Sequence, residues 1–127
     1  MQLLLDTDVL IDLLRKRPQA IEWAHNLPAR PFLSGVATLE ASSASRSLAE
    51  SREIAAVLSR SAVLWPTDED IRRATVEFST LRLAHGIGSL DAVCAAQALR
   101  LKLPLATFNV KHFRAVPRLT TVTPYIR

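Results

Sequence analysis

The sequence predicts an α/β domain with a short central parallel sheet flanked by helices on both faces. Three observations lead there. Short apolar runs that read as strands alternate with stretches of helical spacing along all 127 residues. No linker, repeat or low-complexity segment breaks the alternation, so residues 1–127 are expected to form one domain. Apolar residues at 49% and charged residues at 22% supply enough core for a folded domain and too little charge for a disordered one.

The elements follow in order. Residues 2–5 read as a buried strand, and VLIDLLRK (9–16) as a helix with Asp8 as its N-cap and Pro18 blocking its continuation. Residues 19–26 give a second short helix. Pro31, Phe32 and Leu33 make a brief strand, after which Ser34 starts a helix running through Glu40 to about residue 48. Residues 51–61 have helical spacing, and 62–65 form a strand. Thr67, followed by acids, is an N-cap, and Gly86 is the matching stop, so one helix is expected between them. Residues 89–102 form another helix and 105–107 a strand. Residues 110–113 make a single helical turn, and 119–122 the last strand.

Charge and cysteine content narrow the function classes. Sixteen Lys and Arg against twelve Asp and Glu give +4, part of it clustered in Arg15-Lys16-Arg17 and in Lys111-His112-Phe113-Arg114. Such a field attracts phosphodiesters, although a solvated basic surface has the same composition. Cys94 is the only cysteine, which excludes an internal disulfide and a cysteine-built zinc site. The three histidines, His25, His85 and His112, have no zinc-type spacing. No apolar run could span a bilayer, and no signal-peptide pattern opens the sequence, so a cytosolic protein without membrane contact is expected.

The acids carry more information. In open α/β sheets ligands sit at the carboxyl ends of the strands. Asp6 and Asp8 follow the first strand in LLLDTDVLID. Glu40 lies in the helix after the second, Asp91 in the first turn of SLDAVCAAQALRL, and Asn109 just beyond the strand of ATFNVKHF. Singly, Asp8 reads as a cap, Asp91 as a complement to a helix dipole, Glu40 as a solvated residue and Asn109 as a turn former. Together, carboxylates gathered at one strand edge repel one another and call for a cation. All-oxygen ligation selects a hard one, Mg²⁺ or Mn²⁺.

Taken in order, DTDVLIDLL, the isolated Glu40, GIGSLDAVCAAQAL and ATFNVKHF with a final short strand resemble the PIN domain, in particular the VapC toxins of type II toxin–antitoxin systems. The resemblance covers the whole chain. It implies a metal-dependent ribonuclease that leaves 5′-phosphate and 3′-hydroxyl ends. By position it makes Asp6, Glu40 and Asp91 the catalytic and metal-binding acids. Asp8 falls where the family varies, and Asn109 where many members have a fourth acid, so the number of metal ions is left open. Thr38, two residues before Glu40, makes the alignment looser there. The resemblance also implies an RNA substrate, an antitoxin partner and a homodimer. Arg15, Lys111 and Arg114 are candidates for substrate phosphates, with surface charge as the alternative. Thr107 is a candidate hydrogen-bond donor to an acid, with a buried strand threonine as the alternative.

Two other classes share part of the pattern. LLLDTDVL also fits the first motif of haloacid-dehalogenase-like phosphatases, with Asp6 as nucleophile. That class needs a later acidic pair, whereas Asp91 stands between Leu90 and Ala92. A non-enzymatic receiver domain needs a phospho-acceptor Asp after the third strand, where VLWPTDED offers only capping acids.

Overall fold

Five parallel strands in the order β3-β2-β1-β4-β5 form the sheet of the computed structural model, which describes residues 2–127. Along the chain the elements are β1 (Leu4–Leu5), α1 (Thr7–Leu14), α2 (Pro18–His25), β2 (Phe32–Ser34), α3 (Gly35–Ser43), α4 (Leu48–Leu58) and β3 (Val63–Leu64). They continue with α5 (Asp68–Val76), α6 (Ser79–His85), α7 (Ser89–Leu101), β4 (Leu105–Ala106), α8 (Val110–Phe113) and β5 (Thr121–Val122). The expected α/β class and the two-faced parallel sheet are both present.

Successive strand residues point to opposite faces, and the core divides accordingly. Leu4 and Leu105 face a cluster built on α5, α7 and α8 that includes Phe78, Ile87 and Phe113. Leu3, Leu5, Leu33 and Ala106 face a second cluster with Val9 and Leu10 of α1 and Ala37 and Ala41 of α3. Helix α7 is buried without a break from Ala92 to Ala98, so it lies inside the molecule rather than on it. Its alanines make that close approach possible. One polar side chain interrupts them. Gln97, with no solvent exposure, accepts the Ser34 hydroxyl at 2.8 Å and donates to the Leu64 carbonyl at 2.6 Å.

Several boundaries differ from the sequence reading, each for a local reason. Helix α1 starts at Thr7 and is capped by Asp6, whose extended backbone lets its carboxylate accept from the Thr7 amide at 2.9 Å; Asp8 is inside the helix. Helix α3 ends at Ser43, not near residue 48, because the serine-rich stretch after Glu40 supplies competing hydroxyls. Ser43 bonds back to the Leu39 carbonyl, and Ser47 caps α4 through the Glu50 amide. The single helix expected between Thr67 and Gly86 is two. The break falls at Glu77–Phe78, where the amides of both residues return to the Arg73 carbonyl and the Phe78 ring turns into the core. Gly86 does end α6, in the left-handed conformation at φ 78° that glycine adopts without strain.

Two buried acids hold elements together. Asp70 completes a capping box with Thr67 and receives the Arg100 guanidinium at 2.9 to 3.1 Å, tying α5 to α7. Asp12, on α1, is 1% exposed and collects three partners: the Tyr125 hydroxyl at 2.7 Å, Arg127 at 2.9 and 3.2 Å, and Arg17 at 3.2 Å. The segment after β5 is thereby clasped onto α1, with the Tyr125 ring edge-on to Phe108 and tilted against Trp23.

Arg100 and the Thr67 cap both hold the Asp70 carboxyl below the ordinary range, against burial that pushes it up. Its stabilisation is therefore full at neutral pH and is lost as the pH falls through the depressed native pKa. Asp70→Ala should cost about 2–3 kcal/mol in urea denaturation at neutral pH, because Arg100 and the helix end both lose their partner. The gap to wild type should close as the pH is lowered into the acid range.

Candidate active site

The strand order reverses between β1 and β4. Chain connections leave this point in opposite directions, which opens a crevice at the carboxyl ends of these two strands. Asp6 follows β1 directly, and Thr107 and Asn109 follow β4. Two helices then bring in acids from either side: Glu40 from α3 and Asp91 from the first turn of α7.

Hydrogen bonds fix the floor of the crevice. Thr107, fully buried, donates its hydroxyl to Asp6 Oδ2 at 2.8 Å and accepts the Asn109 amide at 2.9 Å. Asp6 Oδ1 is held by the Thr7 amide, and the Thr7 hydroxyl reaches Glu40 Oε1 at 2.6 Å. Asp8 accepts from the Phe108 amide at 3.0 Å and from the Val9 amide at 2.8 Å. Every donor to Asp6 is neutral. Burial raises its pKa most, the charges of Asp8 and Asp91 add to the rise, and together they carry it to about 7. Burial likewise raises Asp8, against the Phe108 and Val9 amides and the charge of Arg127. Asp91 is raised by burial and then by Glu40, with His112 acting the other way. Asp6 and Asp91 thus carry the charge of neighbouring acids as well as the cost of burial, with Glu40 and Asp8 adding to the rise at Asp91.

That edge fits a hard divalent cation in its chemistry. The donors are carboxylates, and the Asp6 carboxyl lacks the countercharge that would keep it ionised at neutral pH. Convergence is looser than the sequence suggests: among the described residues no three His, Cys, Asp or Glu side chains are grouped tightly enough to enclose an ion. Water would complete the ligand shell.

The other residues singled out in the sequence divide. The Asn109 side-chain amide lies at hydrogen-bond distance, 2.9 Å, from His112 Nδ1. His112, dismissed as a scattered histidine for want of zinc spacing, is thus held beside Asp91, and its position one helical turn after Asn109 was the available signal. Lys111 and Arg114 are exposed on and just after α8, near this edge. Arg15 is elsewhere. It caps the far end of α1, roughly two turns from Asp8, and lines a groove between α1, α3 and α4. Thr38 donates to the Gly35 carbonyl within its own helix.

A parallel α/β domain with an acid-lined crevice at its switch point is the class that this geometry defines. The model of the PIN domain family matches residues 3–119, and the chain belongs to that family, one of nucleases. The match leaves no place for the phosphatase and receiver alternatives. Comparison with curated protein sequences gives no match. Among solved structures, the chain is similar to a toxin–antitoxin complex from Klebsiella pneumoniae, with a TM-score of 0.76 and 26% identity over 97% of this chain and 98% of that one. It is also similar to VapBC-1 from nontypeable Haemophilus influenzae, with a TM-score of 0.74 and 25% identity over 96% and 97%. DNA-bound VapBC from Salmonella typhimurium shares the fold at a TM-score of 0.76 and 24% identity, over 96% and 97%.

The raised pKa of Asp6 has a consequence for stability without metal. Above about 7 the group is ionised in the native and unfolded states alike, and the fold bears the full cost of its burial. As the pH falls toward the ordinary value of 3.8 the native state takes up the proton first, and that cost disappears. In chelator, Asp6→Asn should therefore stabilise the protein by about 1–3 kcal/mol at roughly pH 8 and make little difference near pH 4. Thermal melts of both proteins across that range check this; a variant less stable than wild type at the alkaline end would show Asp6 to be a structural acid.

Proposed function

We propose that the chain is a metal-dependent ribonuclease and the toxin of a toxin–antitoxin pair. The observation that carries this reading is the gathering of Asp6, Asp8, Asp91 and Glu40 at the crevice of a PIN fold, with the carboxyls of Asp6, Asp8 and Asp91 all raised by burial. Asp6 and Asp91 would hold Mg²⁺, or Mn²⁺, with Glu40 completing the set. When bound, such an ion would supply activation of water and neutralisation of charge on the phosphate. Asp6 is kept in place by Thr107 and the Thr7 amide. Glu40 is anchored at one oxygen by Thr7, which leaves the other to orient the attacking water. His112 is held by Asn109 beside Asp91, where its ring is available to hydrogen-bond a phosphate oxygen. Lys111 and Arg114 hold neighbouring phosphates. The products are 5′-phosphate and 3′-hydroxyl ends.

An antitoxin partner is supported by the two solved relatives of comparable length, a toxin–antitoxin complex and a VapBC complex. The groove beside Arg15 has a volume of about 460 Å³ and a floor of Leu10, Ile11, Leu14, Ala41 and Ile54, which suits the apolar face of a partner helix. Trp23 is not part of the groove, since it packs in the core below Tyr125. A partner arginine reaching the acid edge would supply the missing countercharge and block the metal. Homodimerisation and a cytoplasmic location complete the proposal. Among the described residues no helix is long and apolar enough to cross a membrane.

Asp6→Asn and Asp91→Asn should each lower metal-dependent RNA cleavage by at least about two orders of magnitude while the variants stay folded. Full activity in either would overturn the metal assignment. Asn109→Asp adds a carboxylate next to Asp91, and calorimetric titration should show tighter Mn²⁺ binding. An unchanged affinity would confine Asn109 to positioning His112.

A further inference from the structure

We propose that Arg127 is a substrate-phosphate contact at the acidic edge, presented there by Asp12 and by the ring of Phe108. The inference rests on the nuclease reading above and concerns how the nucleic-acid strand is held. Phe108 links the two places. Its backbone amide donates to Asp8 at 3.0 Å, while the Arg127 guanidinium lies 4.6 Å above the centre of its ring. The cation therefore stands within one residue's span of the crevice. The charges of Arg127 and Asp8 act on each other, which agrees with that placement.

Arg127 is held firmly and yet incompletely used. Asp12 engages only its Nε and Nη2 atoms, at 3.2 and 2.9 Å. A guanidinium carries five N–H donors, so the Nη1 pair and one Nη2 hydrogen remain free. The side chain is 45% exposed. Charge points the same way. One buried carboxylate, Asp12, has two arginines, Arg17 and Arg127, as well as the Tyr125 hydroxyl, so its own charge is matched by either arginine alone. A clasp that served only packing would not need the second guanidinium. A pre-positioned fork, already ordered by Asp12 and stacked on an aromatic face, loses little freedom when it meets a phosphodiester. Lys111 lies on α8 and Arg114 directly after it. Arg127 comes from the segment after β5, so a strand lying over the acids would have cations from two separate elements.

The test is binding of a fluorescein-labelled single-stranded RNA of mixed sequence, about a dozen nucleotides long, with Ca²⁺ in place of Mg²⁺ so that the strand stays intact. Fluorescence anisotropy is read over a range of KCl concentrations. Arg127→Ala should weaken binding about tenfold and lower the slope of log affinity against log salt by about 0.7, the loss of one phosphate contact to a single strand. Arg127→Lys keeps the charge on Asp12 but loses the fork, and should fall between the two. Mn²⁺ affinity measured by calorimetry should not fall in either variant, and in Mg²⁺ the loss of cleavage should appear in KM rather than kcat. Wild-type RNA affinity and salt slope in Arg127→Ala, even with a lower melting temperature, would overturn the proposal and leave a purely structural clasp. If the alanine variant does not fold, wild-type affinity in Arg127→Lys overturns it equally. A wild-type protein that neither binds nor cleaves RNA would instead bring down the nuclease reading, and this inference with it.

Discussion

The hydrogen bond between Thr107 and Asp6 spans the switch point of the sheet, and much of the molecule is arranged around it. It joins the residue that ends β1 to the residue that ends β4, two strands separated by about a hundred residues of chain but adjacent in the sheet. Asp6 also starts α1, so the same carboxylate sets the direction of the helix that carries Asp8 and Asp12. Thr107 in turn accepts the Asn109 amide and so orients the approach to α8 and His112. Strands only two or three residues long could not position these groups by rigidity alone. The crevice is held by its own polar side chains.

A comparison of the three buried aspartates separates architecture from function. Asp12 and Asp70 each meet at least one arginine, and both have lowered pKa values despite burial. Asp6 is equally hidden but has only a threonine hydroxyl and an amide for partners, and like charges for neighbours. This sequence satisfies a buried acid with arginine in two places and withholds it in the third. An acid left in that state destabilises the native protein, a cost that the proposed cation would offset.

Class and site were legible in the sequence to different depths. Alternation of short apolar runs with helices was enough for the parallel sheet, because a strand buried on both faces has few other compositions. Asp6, Asp91 and Asn109 could be placed at the strand ends because the carboxyl edge is a property of the topology, not of any contact. The identity of the α1 cap could not be read, since Asp6 and Asp8 are both good caps and the choice depends on Thr107 a hundred residues away. The break at Phe78 was hidden for a similar reason: helical spacing continues through it, and only the core facing α7 draws the ring inward. Asp12 looked like one polar residue in an apolar helix. Its partners, Tyr125 and Arg127, belong to a segment that showed no pattern at all.

Gln97 gives α7 a property that alanines cannot supply. A helix faced with methyl groups presents a nearly smooth cylinder, and such a surface tolerates small slides and rotations at little cost. A buried carboxamide that must meet both the Ser34 hydroxyl and the Leu64 carbonyl acts as a pawl and allows one axial setting. Asp91 lies on the same rigid rod, less than two turns away. The depth to which that acid reaches into the crevice is therefore gauged from the opposite side of the sheet's centre, by a residue that never approaches the reacting groups.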